Sequence, residues 1–222
     1  MPNNTTIILT IDAPTNISKQ IKKLLKGDKV AIDFNKIIPM PEELSLVSCG
    51  CGANIVSEAE YKKEKAKFDA VMAKKEEDRT PEERWMSSLP ITKKMQKEYL
   101  KKYGSDNWYD WAIRNWGTKW NAYDIGNWKD GYGQYYTMGN TISFFTAWSV
   151  PDPIFEHLSN MFPKASFEVK YADEGGAWCG VTIWALGVGN QIDYQDDCQS
   201  QEYKDLYEDI TIYITGRPRR NF

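Results

Sequence analysis

Residues Thr141–Tyr171, TISFFTAWSVPDPIFEHLSNMFPKASFEVKY, decide the fold because they contain a complete strand–helix–strand unit. The β-branched and aromatic residues of 141–148 predict a strand. Asp152 and Pro153 are typical of a helix start, and the spacing that follows puts three apolar residues on one helical face: Ile154, Leu158 and Met161. After Pro163, apolar residues alternate over 167–171, which predicts a second strand.

The N-terminal residues repeat this pattern. Thr5–Ile11 is apolar and β-branched, which predicts a strand. Asn16 can cap a helix that ends at Gly27. Alternation of Val30, Ile32 and Phe34 then predicts the next strand, so the chain begins with a first β-α-β half.

The C-terminal residues add further strands. The turn 173–176 joins 167–171 to a longer strand over 177–186, so the two form a hairpin. A polar helix over 200–208 precedes a last strand over 210–215, which is β-branched. Two β-α-β halves in one sheet predict an α+β, ferredoxin-like fold: a split βαβ antiparallel sheet with helices on one face, within a single domain over residues 1–222.

The stretch from about 57 to 104 differs in character from the rest of the chain. Lys and Glu dominate it, and its apolar residues form only a narrow helical stripe. Ser57–Glu60 and Thr80–Glu83 each match a capping box, which predicts helix starts. We interpret it as a charged helical insertion whose charges form a solvated surface.

Residues 106–136 are rich in aromatic side chains, with ten Trp or Tyr. Aromatic rings stack on bases, and interleaved cations such as Lys129 suit a phosphate. This pattern predicts a ligand-binding site formed by Trp108, Trp111, Arg114, Trp116, Lys119, Trp120, Tyr123, Trp128 and Tyr132. The alternative interpretation is that these tryptophans pack the interior.

Catalytic chemistry finds little support in the sequence. The chain has a single histidine, and it contains no Walker lysine, nucleophile elbow or H-E-x-x-H motif. His157 as a general base, and a Mg²⁺ cluster of Asp193, Asp196 and Asp197, are the two alternatives, against a structural histidine and solvated aspartates. We therefore predict a protein that is not an enzyme and has no catalytic residues, resident metal or cofactor.

Cysteine use and hydropathy indicate the compartment. No apolar run is long enough to span a bilayer, and no signal peptide is evident, which predicts a cytoplasmic protein with its four cysteines as thiols. Cys179 is expected to be a small buried residue on a strand. Because the formal charge is −3, a long nucleic acid is not an expected partner, whereas a homo-oligomer is compatible with the fold.

Three stretches carry a resemblance to a known family. They are DFNKIIPMPEEL at 33–44, NWYDWAIRNWGTKWNAYD at 107–124, and the strand–helix–strand unit over 142–171. The sequence resembles the Api-like, or YubB-type, family of phage and plasmid proteins. That resemblance implies a ferredoxin-like domain, a mobile-element or viral origin and, for a phage protein, the host cytoplasm, but it supplies no catalytic residues.

These observations together predict a phage- or plasmid-encoded accessory protein that counteracts host defence. Its expected action is to sequester a small nucleotide-type signal in the aromatic segment. The first alternative is inhibition of a host defence enzyme through a protein interface, which the acidic stretch 173–209 could provide. The second is an RNA- or single-stranded-DNA-binding module, because ferredoxin-like sheets bind RNA through aromatic residues.

Overall fold

A computed structural model describes residues 3–27, 32–48, 52–84, 86–123 and 137–215. Strands and helices alternate unevenly along the chain. The strands are β1 Asn4–Asp12, β2 Ile55–Val56, β3 Ile91–Thr92, β4 Thr137–Met138, β5 Thr141–Ala147, β6 Ser166–Asp173, β7 Cys179–Ala185 and β8 Val188–Gln195. The helices are α1 Thr15–Leu25, α2 Glu42–Ser45, α3 Glu58–Met72, α4 Pro81–Arg84, α5 Lys93–Tyr103, α6 Trp108–Trp116, α7 Asp152–Met161 and α8 Gln201–Thr215.

One six-stranded antiparallel sheet organises the fold, in the order β4-β5-β1-β6-β7-β8. β5 and β6 are parallel to each other and flank β1, and α7 connects them. This is a split βαβ unit, and it lies where the stretch 141–171 predicts it. The α+β, ferredoxin-like class is therefore confirmed.

Both faces of the central strands are covered. On one face Ile8, Ala172 and Cys179 pack against α8, through Tyr203 and Tyr207. Side chains alternate across a strand, so Ile7, Leu9 and Tyr171 point to the opposite face, where α7 contacts β6, β7 and β8. The predicted sheet with helices on one face is therefore wrong in this respect, because α8 covers the second face.

The predicted strand around Phe34 is not formed in its described part. Phe34–Lys36 is a single 3-10 turn, and Val30 lies outside the described residues. Two side chains stabilise this turn: Asp33 Oδ1 accepts from the amide of Asn35 at 3.0 Å, and Asn121 Oδ1 accepts from the amide of Phe34 at 2.8 Å. The Phe34 amide is thereby taken by a side chain rather than by a strand. The strand that completes the N-terminal half is instead β4, which is parallel to β1 and separated from it in the sheet by β5.

The predicted last strand over 210–215 is also wrong, because these residues continue α8. Helical spacing brings Tyr203, Tyr207 and Ile210 onto one buried face against the sheet. A strand would turn alternate residues away from that face. In addition, β8 is a strand that the sequence did not predict, since most of its residues are exposed and carry no burial pattern.

The chain divides into two compact units, Met1–Pro39 with Asn115–Phe222, and Met40–Arg114. The first unit contains the six-stranded sheet, and the second contains α2 to α5 and the parallel pair β2–β3. The predicted insertion at about 57–104 falls inside the second unit, which extends beyond it at both ends. The predicted capping box of Ser57 and Glu60 is confirmed at the start of α3.

No helix in the described part of the chain is both long enough and apolar enough to cross a bilayer.

Candidate functional site

Two tryptophans of the predicted aromatic site are part of the interior. Trp111 is 5% exposed and Trp116 is 4% exposed. Trp116 donates from Nε1 to the carbonyl oxygen of Ile38 at 2.8 Å, and its ring packs edge-on against Phe34 with centroids 5.9 Å apart. Neither ring presents a face to a ligand, so the prediction is corrected for these two: they pack the interior.

The other predicted residues are divided between the two units. Trp108 and Arg114 belong to the second unit, where Trp108 is half-buried and the guanidinium of Arg114 donates to the carbonyl of Gly104. Lys119, Trp120 and Tyr123 belong to the first. Trp128, Lys129 and Tyr132 lie outside the described residues.

Lys119 and two tryptophans form an exposed aromatic surface on the first unit. The Nζ atom of Lys119 lies 4.7 Å from the ring centroid of Trp120 and 4.8 Å from that of Trp148, which is cation–π geometry on both sides. Trp120 is 38% exposed and Trp148 is 46% exposed. We call these three residues the indole pair surface. Trp148 holds a left-handed backbone conformation, with φ of 71°, just after β5.

Tyr123 packs against the indole pair surface through its contact with Trp120. Its ring meets Trp120 edge-on at 6.1 Å, and its hydroxyl donates to Asn4 Oδ1 at 2.5 Å. Burial raises the pKa of Tyr123 to about 12. Tyr123 is therefore a neutral, hydrogen-bonded positioning group rather than an acid or base.

A cavity of about 560 Å³ lies on the α7 face of the sheet, over β6, β7 and β8. We call it the sheet cavity. Its walls are aromatic and polar, and they come from several separate segments of the first unit. The lining residues are Gly117, Ser149, Val150, Asp152, Pro153, Tyr171, Trp178, Thr182, Trp184, Gly189, Gln191 and Tyr194.

Two glycines let the aromatic rings lie flat across the sheet. A Cβ on Gly180 would be 2.6 Å from the hydroxyl oxygen of Tyr171, and a Cβ on Gly189 would be 2.7 Å from the ring of Trp184. Each glycine is the cross-strand partner of the ring above it. Trp178 then meets Tyr171 edge-on, with centroids 5.7 Å apart. Glycine is therefore required at both positions by close approach of a ring.

A β-bulge in β8 places two of its side chains on the cavity face of the sheet. Gln191 pairs with Thr182 and Asp193 pairs with Val181, so Ile192 is the extra residue. Because of this insertion, Gln191 and Tyr194 both lie on the cavity face, although they are three apart in the sequence. Tyr194 is 46% exposed and forms the outer rim.

The charge in the cavity comes from Asp152. Among the described residues it is the one charged side chain in the lining, which contains no Lys or Arg. Although the residue keeps contact with solvent, desolvation by its surroundings raises the pKa of the carboxyl group to about 6. Asp152 is also the first residue of α7, where the helix dipole favours the anion. These two effects oppose each other, and with a pKa of about 6 the carboxyl group is mostly ionised at neutral pH.

The cavity rim and the indole pair surface share two loops. Gly117 and Ser149 line the cavity, while Lys119 and Trp148 lie on the same loops. Ser149 Oγ donates to the carbonyl of Gly117 at 2.6 Å and joins the two loops. Gly117 is therefore the one residue of the aromatic segment 106–136 that lines the cavity among the described residues. The sequence did not predict the other lining residues.

The alternatives from the sequence lie elsewhere. His157 is exposed on α7 rather than packed in the interior, and Asp196 and Asp197 are exposed. Asp193 is half-buried beside Cys179, and burial raises the pKa of that cysteine to about 12. Cys179 is buried on β7, which confirms the prediction for it.

The comparisons with known proteins concern mainly the sheet. Residues 115–213 match the sequence family described as the ferredoxin-like domain in Api92-like protein. The resemblance to Api-like proteins is thus confirmed over this region. A crystal structure of a protein api92 from Yersinia pseudotuberculosis is similar at 10% identity and a TM-score of 0.40, covering 88% of this chain and 98% of that one. No curated protein matches the sequence.

Proposed function

We propose that this protein is a non-catalytic binding protein that takes the ring of a nucleobase-bearing small molecule into the sheet cavity. The observation that carries the proposal is the set of four aromatic side chains around one cavity: Tyr171, Trp178, Trp184 and Tyr194. Stacking of a base on an aromatic side chain contributes about 1–3 kcal/mol. A volume of about 560 Å³ lies within the usual range for small-molecule sites.

The polar groups of the lining suit a heterocycle. Gln191 and Thr182 offer both donors and acceptors, and Asp152 offers a charged acceptor. Since the described lining has no Lys or Arg, a phosphate has no cationic partner inside the cavity. We therefore infer that the base enters and that any phosphates stay outside, on the side of the loop that carries Lys119.

A binding role is favoured over catalysis by the partners of these groups. Of the two aliphatic hydroxyl side chains in the described lining, Ser149 donates to the carbonyl of Gly117, and the cavity holds no imidazole among its described residues. Asp152 would have to act alone as acid or base. This arrangement lacks the paired nucleophile and base that hydrolytic sites use.

The wider role that we propose is a phage- or plasmid-encoded accessory protein that counteracts host defence by sequestering a nucleotide-type signal. This step rests on the resemblance to Api-like proteins and on the cavity, and it follows only if the cavity binds such a ligand. An RNA-binding module is less favoured, because α8 and α7 cover both faces of the central strands that such modules leave open.

Trp178→Ala is expected to weaken ligand binding about tenfold or more, because it removes one stacking wall of the cavity. The measurement is tryptophan fluorescence titrated with a panel of nucleosides, nucleotides and cyclic dinucleotides. Trp120→Ala is the matched control, since it removes an indole that is exposed but does not line the cavity. A loss of binding in Trp120→Ala alone would place the site in the aromatic segment instead, and a panel without a single binder would reject the proposal.

A protein interface is the second candidate, and the indole pair surface favours it. Exposed tryptophans beside a cation are typical binding hot spots. The acidic stretch 173–209 favours it less, because Asp173 is buried, Glu174 accepts from the amide of Asn4 at 2.9 Å, and Asp209 pairs with Lys170.

Trp148→Ala is expected to abolish co-purification of a host protein if that surface is the interface, while Trp178→Ala retains it. The measurement is affinity purification of the tagged full chain from host cells, with mass spectrometry of the bound proteins. Equal recovery with both variants and the native chain would reject this interface.

A further inference from the structure

We infer that the sheet cavity selects a ring whose edge presents two adjacent N–H donors to Asp152, which among the common nucleobases is guanine. This inference rests on the proposed function and names the ligand class for the same site. It depends on the position and the partners of a single carboxylate.

The carboxylate of Asp152 is available to a ligand. Asp152 lines the cavity at the start of α7, and no described residue donates a hydrogen bond to its side chain or forms an ion pair with it. Desolvation is the one cause of its raised pKa. An ionised carboxylate that lacks an internal donor is free to pair with a ligand that brings donors of its own.

The hydrogen-bonding groups of each base determine how well it pairs with this carboxylate. An ionised carboxylate has two oxygens that only accept, so it pairs best with two parallel N–H donors. Guanine has a ring N–H beside an exocyclic amino group. Adenine and cytosine each offer one amino group beside an unprotonated ring nitrogen, whose lone pair repels the carboxylate. Uracil offers one ring N–H between two carbonyl oxygens.

The other lining residues of the cavity are also compatible with guanine as the preferred base. Trp178 and Trp184 are half-buried in the lining and provide aromatic walls for a planar bicyclic ring. No Lys or Arg of the described lining competes for Asp152. The phenol groups of the lining belong to Tyr171 and Tyr194. Asp193 lies on the opposite face of the sheet, beside Cys179.

The test compares nucleosides that differ at this edge. Guanosine is expected to bind the full-length protein about tenfold more tightly than inosine, which lacks the amino group, and more tightly than adenosine, cytidine or uridine. Asp152→Asn is expected to remove the difference between guanosine and inosine while adenosine binding stays within about twofold. Glu156→Gln, also on α7 but outside the lining, is the control and should leave every affinity unchanged.

The pH dependence gives a second readout. Because burial raises the pKa of Asp152 to about 6, the carboxylate is ionised above this value and protonated below it. Guanosine affinity is therefore expected to fall between about pH 7.5 and about pH 5 in the native protein and to stay flat in Asp152→Asn.

Two failures are distinguishable. If no nucleoside binds, the proposed function fails, and this inference fails with it. If the nucleosides bind and Trp178→Ala weakens the binding of all of them, the cavity is a base site. The inference of guanine selectivity is then overturned by either of two results: equal affinities of the native protein for guanosine and inosine, or a difference between them that persists in Asp152→Asn.

Discussion

Replacing Trp116 by alanine is expected to destabilise the fold by about 3–5 kcal/mol, the usual range when a large aromatic residue is removed from an interior. Its ring is buried against Phe34, and its indole N–H satisfies the carbonyl oxygen of Ile38. The substitution therefore leaves both a cavity and an unpaired, partly buried acceptor. Chemical denaturation, followed by far-UV circular dichroism, measures the loss.

Trp120→Ala is the control for this experiment, because it removes the same side chain from a position that is much more exposed. We expect a cost below about 1 kcal/mol. Equal costs for the two variants would contradict the interior position of Trp116. A stable Trp116→Ala protein that has lost ligand binding would restore Trp116 to the site.

Replacing Tyr207 by alanine is expected to cost a similar amount, about 3–5 kcal/mol. Tyr207 is buried under α8, its ring stacks on Tyr203 with centroids 5.3 Å apart, and its hydroxyl donates to the carbonyl oxygen of Asp173 at 3.0 Å. The same side chain thus ties α8 to the end of β6. The free energy of unfolding of the full chain is the quantity to measure.

Two companion variants separate the contributions of Tyr207. Tyr207→Phe keeps the ring and removes one hydrogen bond, so we expect a loss of about 1 kcal/mol. Glu208→Ala changes the exposed neighbour and should stay within about 0.5 kcal/mol of the native chain. A cost for Tyr207→Ala no greater than that for Glu208→Ala would show that α8 does not cover the sheet.

The sequence predicted the elements that have a strong and uninterrupted pattern. β5, α7 and β6 are buried on regular faces and are separated by proline, so periodicity located them. β8 has exposed residues on both faces, and the pattern carries no signal there. At the C-terminus the β-branched residues favoured a strand, but burial of Tyr203, Tyr207 and Ile210 on one face favours a helix.

The candidate site was predicted in character but not in place. Aromatic density along the chain indicated a stacking site, yet Trp111 and Trp116 are buried in the interior. The rings of the sheet cavity come from β6, β7 and β8 and the turn before β7, and the strand register brings them together. One signal was present: Trp178, Gly180, Thr182 and Trp184 alternate along one face, with glycine leaving room for a neighbouring ring.

The position of β1 has a consequence for how the protein is made. This strand is synthesised well before its two neighbours in the sheet, β5 and β6, which begin at Thr141 and Ser166. At about 5–20 residues per second, its apolar side chains lack these neighbours for at least several seconds, during which residues 40–114 are synthesised. During that interval the unpaired apolar strand is open to chaperone binding and to aggregation.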